Sequence, residues 1–486
     1  MREYGKLFIN GEWIAPTGGG TIDVISPASE EVIGRVPEAS AEDVDKAIAA
    51  ARTAFDEGPW PHMSGAERAD CMARVTAALG ARTQEIGELV SNEMGTPISI
   101  STMVQASMPI MFFNYYVDLA RSYEFEEIRK GMMGSSLVAK EGVGVVGAIV
   151  PWNYPLYLTM AKLGPAFAAG CTVVLKPASE APLNAHVLAE CIEEAGLPPG
   201  VFNMVPGAGR VVGNQLVEDP RVDKISFTGS TEAGRAIMSK CGEQIKRVTL
   251  ELGGKSACIL LDDAPLDMAI PTAAQAAMLN SGQTCIAQTR LLAPRSTYDD
   301  VVARMTETVS QMKVGEPLDP TTTLGPLVSG RQRDIVEGYV NAGQEEGAKI
   351  TTGGGRPSGF AKGYYVEPTV FAGVDNKMRI AQEEIFGPVL SVIPYDTVDE
   401  AVAIANDSIY GLSGGVWAGD PEKGLDVAKR IRTGTMSVNT MGMNLAAPFG
   451  GYKQSGIGRE LGPEGILPYI EFKSIALPGG FTPAGK

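Results

Sequence analysis

Apolar and polar residues recur along this chain with two periods, and the changes between them mark the elements. Two short runs near the start, KLFING and TIDVIS, read as strands set between turns. From Ala41 to Phe55 the spacing becomes helical, and ASAEDVDKAIAAARTAF opens with a Ser-x-x-Asp variant of the capping box. Helical periodicity continues over roughly residues 65–120. Between residues 123 and 140 a short bridging segment reads as strands that leave the parent domain.

From Gly142 onward strand and helix patterns alternate: GVGVVGAIV, a helix near Leu158–Ala169, CTVVLK, a helix near Leu183–Ala195, VFNMVPG, then KISFTGS and another helix. Strands separated by helical stretches imply right-handed βαβ crossovers and a parallel sheet, as in nucleotide-binding α/β domains. A second alternating region runs from about Lys255 to Asn439, with ACILL, TRLLAP, a long helix at Tyr298–Val314, GYYVEPTVF and VLSVIPY. No repeat or low-complexity tract interrupts it, and LPGGFTPAGK reads as a loosely held terminus.

Composition narrows the classes. A chain of 486 residues exceeds one core and predicts roughly two to four domains. A net charge of −16 argues against nucleic acid or an anionic membrane as the main partner, yet leaves room for an anionic cofactor held by backbone N–H groups. Six cysteines, at 71, 171, 191, 241, 258 and 285, show neither CxxC nor metal-ligand spacing, which suits free thiols in a reducing cytoplasm and predicts no metal. MREYGKLFINGEW lacks the apolar core of a signal peptide, and no apolar run reaches the ~18 residues of a membrane span. A soluble, cytoplasmic protein is expected.

One thiol stands apart. NSGQTCIAQTR, residues 280–290, places Cys285 in a polar, Gly-containing stretch that predicts an exposed loop. A nucleophilic thiol usually takes its base from histidine, and the chain has only His62 and His186, both in ordinary surface or helix sequence. A free cysteine is also a small hydrophobe that favours burial; if Cys285 is instead a nucleophile, the base work falls to a carboxylate. Glu251 in VTLELGGKS, flanked by Leu250 and Leu252, is expected to have a pKa raised by desolvation, although a salt-bridged structural carboxylate fits the same stretch. Asn153 in IVPWNYP offers an amide which, with the Cys285 N–H, suits an oxyanion; a turn-forming asparagine fits as well. GSTEAG, residues 229–234, sits between strand and helix with Ser230 or Thr231 placed to cap, and is GxxxxG rather than GxGxxG. Lys176 in VLKPASEAP reads as a ribose or phosphate contact or as an ordinary surface lysine. Glu384 and Phe386 in QEEIFGPVL suit a ribose clamp and a flat ring, or a helix end before a Gly-Pro turn.

In this order PWNYP, FTGSTEAGR, LELGGKS, GQTC, EEIFGPV and PFGGYKQSGIGRE (448–460) resemble the NAD(P)-dependent aldehyde dehydrogenases, from FINGEW at residue 8 to near residue 475. The resemblance implies an α/β protein with a Rossmann-like cofactor domain (1–122 and 141–252), an α/β catalytic domain (253–455) and a small β oligomerisation flap. The flap would be built from 123–140 and 468–486, with a strand near Tyr469–Leu477, and the chain would form homodimers or homotetramers. Cys285 matches the nucleophile, Glu251 the general base and Asn153 the oxyanion donor. Lys176 and Glu384 match cofactor-ribose contacts. Gly229, Ser230, Thr231, Glu232, Ala233 and Gly234 match the loop near the pyrophosphate, with Gly209 also on the cofactor side. Trp152, Leu252 and Phe386 match the nicotinamide side. The implied reaction oxidises an aldehyde to the acid through a Cys285 thiohemiacetal and thioester, hydrolysed by water that Glu251 activates.

Where NAD-preferring relatives carry Glu three residues after the strand-end lysine, this chain has Ser179, with Glu180 next. NAD is expected, with NADP tolerated because serine removes a repelling carboxylate, unless the backbone turns so that Glu180 takes its place. Tyr154, Tyr157, Leu158, Ala161, Thr284 and Phe449 are expected to line an apolar substrate channel, suited to aromatic, terpenoid or medium-chain aliphatic aldehydes. Two other readings are a CoA-acylating semialdehyde dehydrogenase, which a carboxylate at 251 disfavours, and a non-catalytic binding or structural protein, which would have no need of thiol and base together.

Overall fold

In the computed structural model, which describes residues 1–479 and 481, the apolar runs after residue 142 gather into one sheet. Val145–Ile149, Thr172–Lys176, Phe202–Met204, Lys224–Thr228 and Arg247–Glu251 pair in parallel. The chain lays Val145–Ile149 in the middle and steps outward through Thr172–Lys176 and Phe202–Met204. It then crosses back to add Lys224–Thr228 and Arg247–Glu251 on the other side. Leu7–Ile9 and Glu12–Ile14 close one edge antiparallel, and Gly456–Ile457 closes the other.

Both faces are covered. Val145, Ile149, Val174 and Ile225 pack with Val44, Ala47, Ile48 and Ala51 of the Ala41–Asp56 helix. Val146, Ala148, Val173 and Leu175 pack on the opposite side with Leu79, Phe112, Leu163 and Leu188, drawn from four further helices. Strands buried on two faces need apolar residues at successive positions, so their runs read as continuous. Helix starts are fixed locally: Ser40 and Asp43 bond reciprocally across the first turn, and Ser64 with Glu67 repeats the device. The expected helix near Leu158–Ala169 starts earlier, at Pro155, whose fixed φ suits a first helical position.

A seven-stranded sheet follows, in the order Lys349–Thr352, Thr369–Ala372, Val389–Tyr395, Arg290–Pro294, Ala257–Leu260, Gly414–Trp417 and Ser437–Val438, parallel except for the first. Two boundaries differ from the sequence pattern. GYYVEPTVF pairs only from Thr369, because Pro368 has no N–H to give the ladder. The Tyr298 helix stops at Ser310, as the chain turns to bridge Val314 to Leu324.

A small antiparallel sheet of Glu126–Gly131, Gly134–Gly142 and Ile470–Leu477 leaves Met132, Met133, Phe472 and Ile475 exposed. Residues 480 and 482–486, at the end of the expected flap range and of the Gly/Pro-rich tail, lie outside the described residues. Arg2–Glu3, Val32–Pro37 and Thr21–Ile25 make a further three-stranded sheet. Among the described residues no helix is long and apolar enough to cross a membrane.

The topology sets the site. Val145–Ile149 and Lys224–Thr228 are neighbours from which the chain departs in opposite directions, so their carboxyl ends leave a crevice between the connections. PWN and GSTEAG begin at those ends. Arg247–Glu251 is the last parallel strand before the chain passes into the second sheet at Ala257.

The reciprocal cap at Ser40 is expected to contribute about 1 kcal/mol. Ser40→Ala should lower the denaturation midpoint accordingly while leaving turnover intact, as calorimetry and an activity assay would show.

Candidate active site

The stretch Asn280–Thr284 is buried, contrary to the exposed loop that its polarity predicts. Its polar groups are satisfied from afar. Asn280 Nδ2 donates to Asn153 O at 3.0 Å, and Asn280 Oδ1 accepts from Thr96 Oγ1 at 2.9 Å. Gln283 Oε1 accepts the Val328 N–H at 2.9 Å, and Ser281 Oγ donates to Gly325 O at 2.8 Å. Gln105 donates to both Thr96 Oγ1 and Asn153 O at 3.1 Å. With partners supplied, burial of a polar segment costs little. The network also holds Asn280, Ser281 and Gly282 in consecutive left-handed conformations, with φ of 55°, 54° and 74°. The two non-glycine members would otherwise be strained.

This turn aims Cys285 at the meeting of two cavities. One, of about 210 Å³, includes Glu251 in its wall; the other, of about 400 Å³, includes Asn153, Gly229, Glu384 and Phe386. Thr228, Leu252 and Cys285 belong to both. Burial pushes the Cys285 thiol up to about 12, and the carboxylates of Glu384 and Glu251 add to that. The N–H groups of Ile286 and of Cys285 itself offset part of it. Without a further cation the sulfur is therefore a thiol, and a base must take its proton. Asn153, buried between strand and helix, donates Nδ2 to Gln283 O at 3.0 Å, so its amide lies across the backbone that carries the sulfur.

Glu251 is 2% exposed, and neither carboxylate oxygen has a hydrogen-bond partner among the described residues. Burial first, and the nearby Glu460 second, raise its pKa well above the usual carboxylate range, against the pull of Lys162 and Arg459. The sequence missed this second tier. Lys162 Nζ donates to Thr228 Oγ1 and Glu460 Oε1, both at 2.7 Å, in a fully buried ion pair. A signal existed: Lys162 is the one charged residue in the helix PLYLTMAKLGPAFA, every residue of which is buried.

In the larger cleft Trp152 and Phe386 meet edge to face with ring centroids 5.3 Å apart. Glu384 Oε1 accepts the Gly254 N–H at 2.9 Å, and Gln332 Nε2 donates to Phe386 O at 2.9 Å. Trp152, Gly229, Ser230, Leu252, Glu384 and Phe386 all line it. Ser230 caps the Thr231–Glu243 helix by accepting the Ala233 N–H at 3.2 Å. The glycines of GSTEAG are required by packing within the chain itself: a Cβ on Gly229 would stand 2.5 Å from the Phe227 ring, and one on Gly234 2.5 Å from Leu252. Lys176, Ser179, Gly209 and residues 231–234 do not line this cavity. Lys176, far from an ordinary surface lysine, is buried at its strand end with Nζ donating to Pro177 O, and Ser179 Oγ approaches Gly207 O at 3.5 Å.

Tyr154, Tyr157, Leu158, Ala161, Thr284 and Phe449 all face the smaller cavity. Val104, Met108, Leu279, Ile286, Met441 and Met443, which the sequence did not suggest, complete its apolar wall. Tyr154 OH and Thr284 Oγ1 hydrogen-bond at 2.8 Å, whereas Tyr157 OH has no partner. A strong hydride acceptor with a ribose would find an aromatic wall, an acidic clamp and a capped helix start in the larger cleft. An electrophile at the junction of the two cavities would meet the sulfur with the Glu251 carboxylate on the smaller side and the Asn153 amide on the larger.

A sequence model of the aldehyde dehydrogenase family matches residues 13–475. A geranial dehydrogenase of Castellaniella defragrans is 47% identical over 478 residues, covering 98% of this chain and 99% of that protein. The crystal structure of an aldehyde dehydrogenase from Mycobacterium tuberculosis complexed with NAD+ is similar at a TM-score of 0.97 and 50% identity, over 99% of each chain. A mutant of aldehyde dehydrogenase C from Pseudomonas syringae, complexed with NAD+ and octanal, is similar at 0.95 and 45%, over 99% of this chain and 98% of that one.

The close approach of Gly282 to Gly387 fixes the loop that carries the sulfur. A Cβ there would lie 2.0 Å from Gly387 O, at a φ unfavourable to alanine. Gly282→Ala is expected to lower kcat/KM by about 100-fold or more, through displacement of Cys285, with the chain still folded by circular dichroism.

Proposed function

The chain belongs to the aldehyde dehydrogenase family, and from that premise we propose how its residues share the work of an NAD-dependent oxidoreductase acting on aldehydes. The observation that carries the reading is the place of Cys285, at the junction of an apolar chamber and a cleft with the features of a dinucleotide site. Cys285 sulfur, its proton released to solvent, adds as the thiolate to the aldehyde carbon and forms a C–S bond. One N–H of the Asn153 amide is engaged by Gln283 O. The other, with the Cys285 N–H, takes the oxyanion of the thiohemiacetal. Collapse of that oxyanion expels hydride from the former aldehyde carbon and leaves a thioester on sulfur.

NAD, when bound, would supply the hydride acceptor, and the Glu180 carboxylate in the cleft wall favours NAD over NADP. Trp152, Leu252 and Phe386 would hold the nicotinamide side, and Glu384 with Lys176 would hold the riboses. Gly209 and the Gly229–Gly234 loop serve the pyrophosphate. Glu251, kept proton-hungry by burial and Glu460, then draws a proton from water as that water attacks the thioester, and the acid departs.

The chamber's wall selects the substrate class. Aromatic and thioether side chains surround it, and its charged groups, Glu251 and Glu460, stand among the reacting residues. An uncharged medium-chain, terpenoid or aromatic aldehyde therefore fits, in keeping with the names of two similar proteins, one a geranial dehydrogenase and one complexed with octanal. The exposed Met132, Met133, Phe472 and Ile475 on the small sheet support assembly as a homodimer or homotetramer through this flap. Six free thiols support residence in a reducing cytoplasm.

Cys285→Ala should abolish aldehyde-dependent NADH formation. Glu251→Gln should slow steady-state turnover by roughly 10²–10⁴-fold while leaving a burst of NADH, because thioester hydrolysis is the step impaired. Hydrolysis in the unaltered enzyme should fall on acidification through the raised Glu251 pKa, since the base form exists only above it, and the glutamine variant should lose that dependence. In a panel of aldehydes, octanal and geranial-type enals should exceed betaine aldehyde in kcat/KM by about 100-fold, reflecting the cost of putting an unpaired cation against an apolar wall. Equal efficiency on betaine aldehyde would refute the apolar assignment.

A further inference from the structure

Lys255 follows directly on the Gly253–Gly254 turn against which the Glu384 carboxylate is packed. Glu384 Oε1 accepts the Gly254 N–H at 2.9 Å, and a Cβ on Gly253 would stand 2.3 Å from Glu384 Oε2. Lys255 itself is 2% exposed, and its Nζ has no hydrogen-bond acceptor among the described residues. A buried ammonium without acceptors is costly unless negative charge lies close by. The charged groups that face it are Glu384, Glu383 and Arg290. Arg290 is fully buried and gives its N–H groups to neutral acceptors: Lys255 O, Asn376 Oδ1, Ile404 O and Ala405 O. Glu383 is already engaged by Arg379 and Tyr339. Glu384 is thus the carboxylate left for Lys255 to complement.

Glu384 also feels few other charges. Lys255 opposes its protonation, and Cys285 and Tyr410 feel its field. Burial lowers Lys255 to about 7 and raises Glu384 to about 7, so the two compete for one proton near neutrality.

We propose that Lys255 is a positioning residue for cofactor binding: from behind the Gly253–Gly254 turn, its buried amine keeps the Glu384 carboxylate charged and aimed as the acceptor for ribose hydroxyls. The proposal rests on the reading of Glu384 as a ribose contact. It explains why a tightly packed glycine pair and a buried amine without a hydrogen-bond acceptor among the described residues occur next to each other in one stretch. Lys255 never touches the reacting atoms; it sets the charge of the group that holds the cofactor. With the amine protonated, the carboxylate resists protonation to lower pH. With no cation at 255, the same carboxylate takes up a proton at higher pH and loses acceptor strength.

The test is NADH affinity, read by energy transfer from the protein's tryptophans to bound NADH between about pH 5.5 and 9, a range that spans both groups. The unaltered enzyme should bind more weakly as the medium is acidified through neutrality. Lys255→Met should move that loss to higher pH and weaken binding about tenfold at pH 7, the worth of one charge-assisted hydrogen bond. Lys255→Arg, which keeps a cation, should stay within about twofold of the original. Glu384→Gln should bind weakly with no pH dependence. If Glu384→Gln binds weakly while the Lys255→Met profile overlays the original, the role of Lys255 is overturned and the ribose contact stands. If Glu384→Gln binds as tightly as the original, the ribose reading falls and takes the proposal with it. Should Lys255→Met not fold, the unaltered enzyme decides: a flat profile across the range overturns the proposal.

Discussion

A polar loop enters a protein interior only when its donors and acceptors find partners there, and the placing of Cys285 depends on that condition. Asn280, Ser281 and Gln283 are bonded by Asn153, Thr96, Val328 and Gly325, groups that come from three separate parts of the chain. The left-handed backbone at Asn280 and Ser281 persists because these bonds over-determine it. The same asparagine that closes the network, Asn153, donates its amide to Gln283 O, two residues before the sulfur. Structural satisfaction and the candidate oxyanion donor are therefore one residue, which makes the position of the donor as rigid as the core beneath it.

The second dependence is the passage between the two large sheets. After Glu251 the chain leaves the first sheet, and within six residues Ala257 begins the second. Returning, Gly456 pairs with Glu251 and Ser455 ties both legs, accepting the Gly411 N–H and donating to Gly253 O. Glu251 thus sits on a seam stitched in both directions, with the backbone of Gly450 pressed close to its carboxylate. A buried acid with no hydrogen-bond partner tolerates its isolation by holding its proton more tightly, and Glu460 reinforces this.

The sequence announced the α/β alternation and the helix cap at Ser230, because these depend on local pattern. It misjudged what depends on distant partners. NSGQT reads as solvent-facing, since nothing in five polar letters reveals that Thr96, Gln105 and Asn153 await them. Lys176 left open a surface role, although it lies buried at a strand end. The glycines of GSTEAG also pack tightly against Phe227 and Leu252 of the same chain, which the letters alone do not reveal. Lys162 was legible in principle, as a lone cation in an apolar helix, but its partner Glu460 lies 298 positions away. Strand ends shifted where proline intervened, as at Pro368.

The helix that runs toward Ser122 carries one further device. From Ser101 to Ser107 it is wound as a π-helix, and this stretch holds Val104, Gln105 and, immediately after it, Met108. Gln105 reaches inward to Asn153, while Val104 and Met108 form part of the chamber wall. A wide turn accommodates an additional residue, so rewinding it to the ordinary pitch would rotate everything downstream by about 100°. The bore of the chamber and the anchorage of the amide are thereby geared to a single rotation. A lineage that gained or lost one letter in this segment would recut its tunnel and loosen its chemistry in the same stroke.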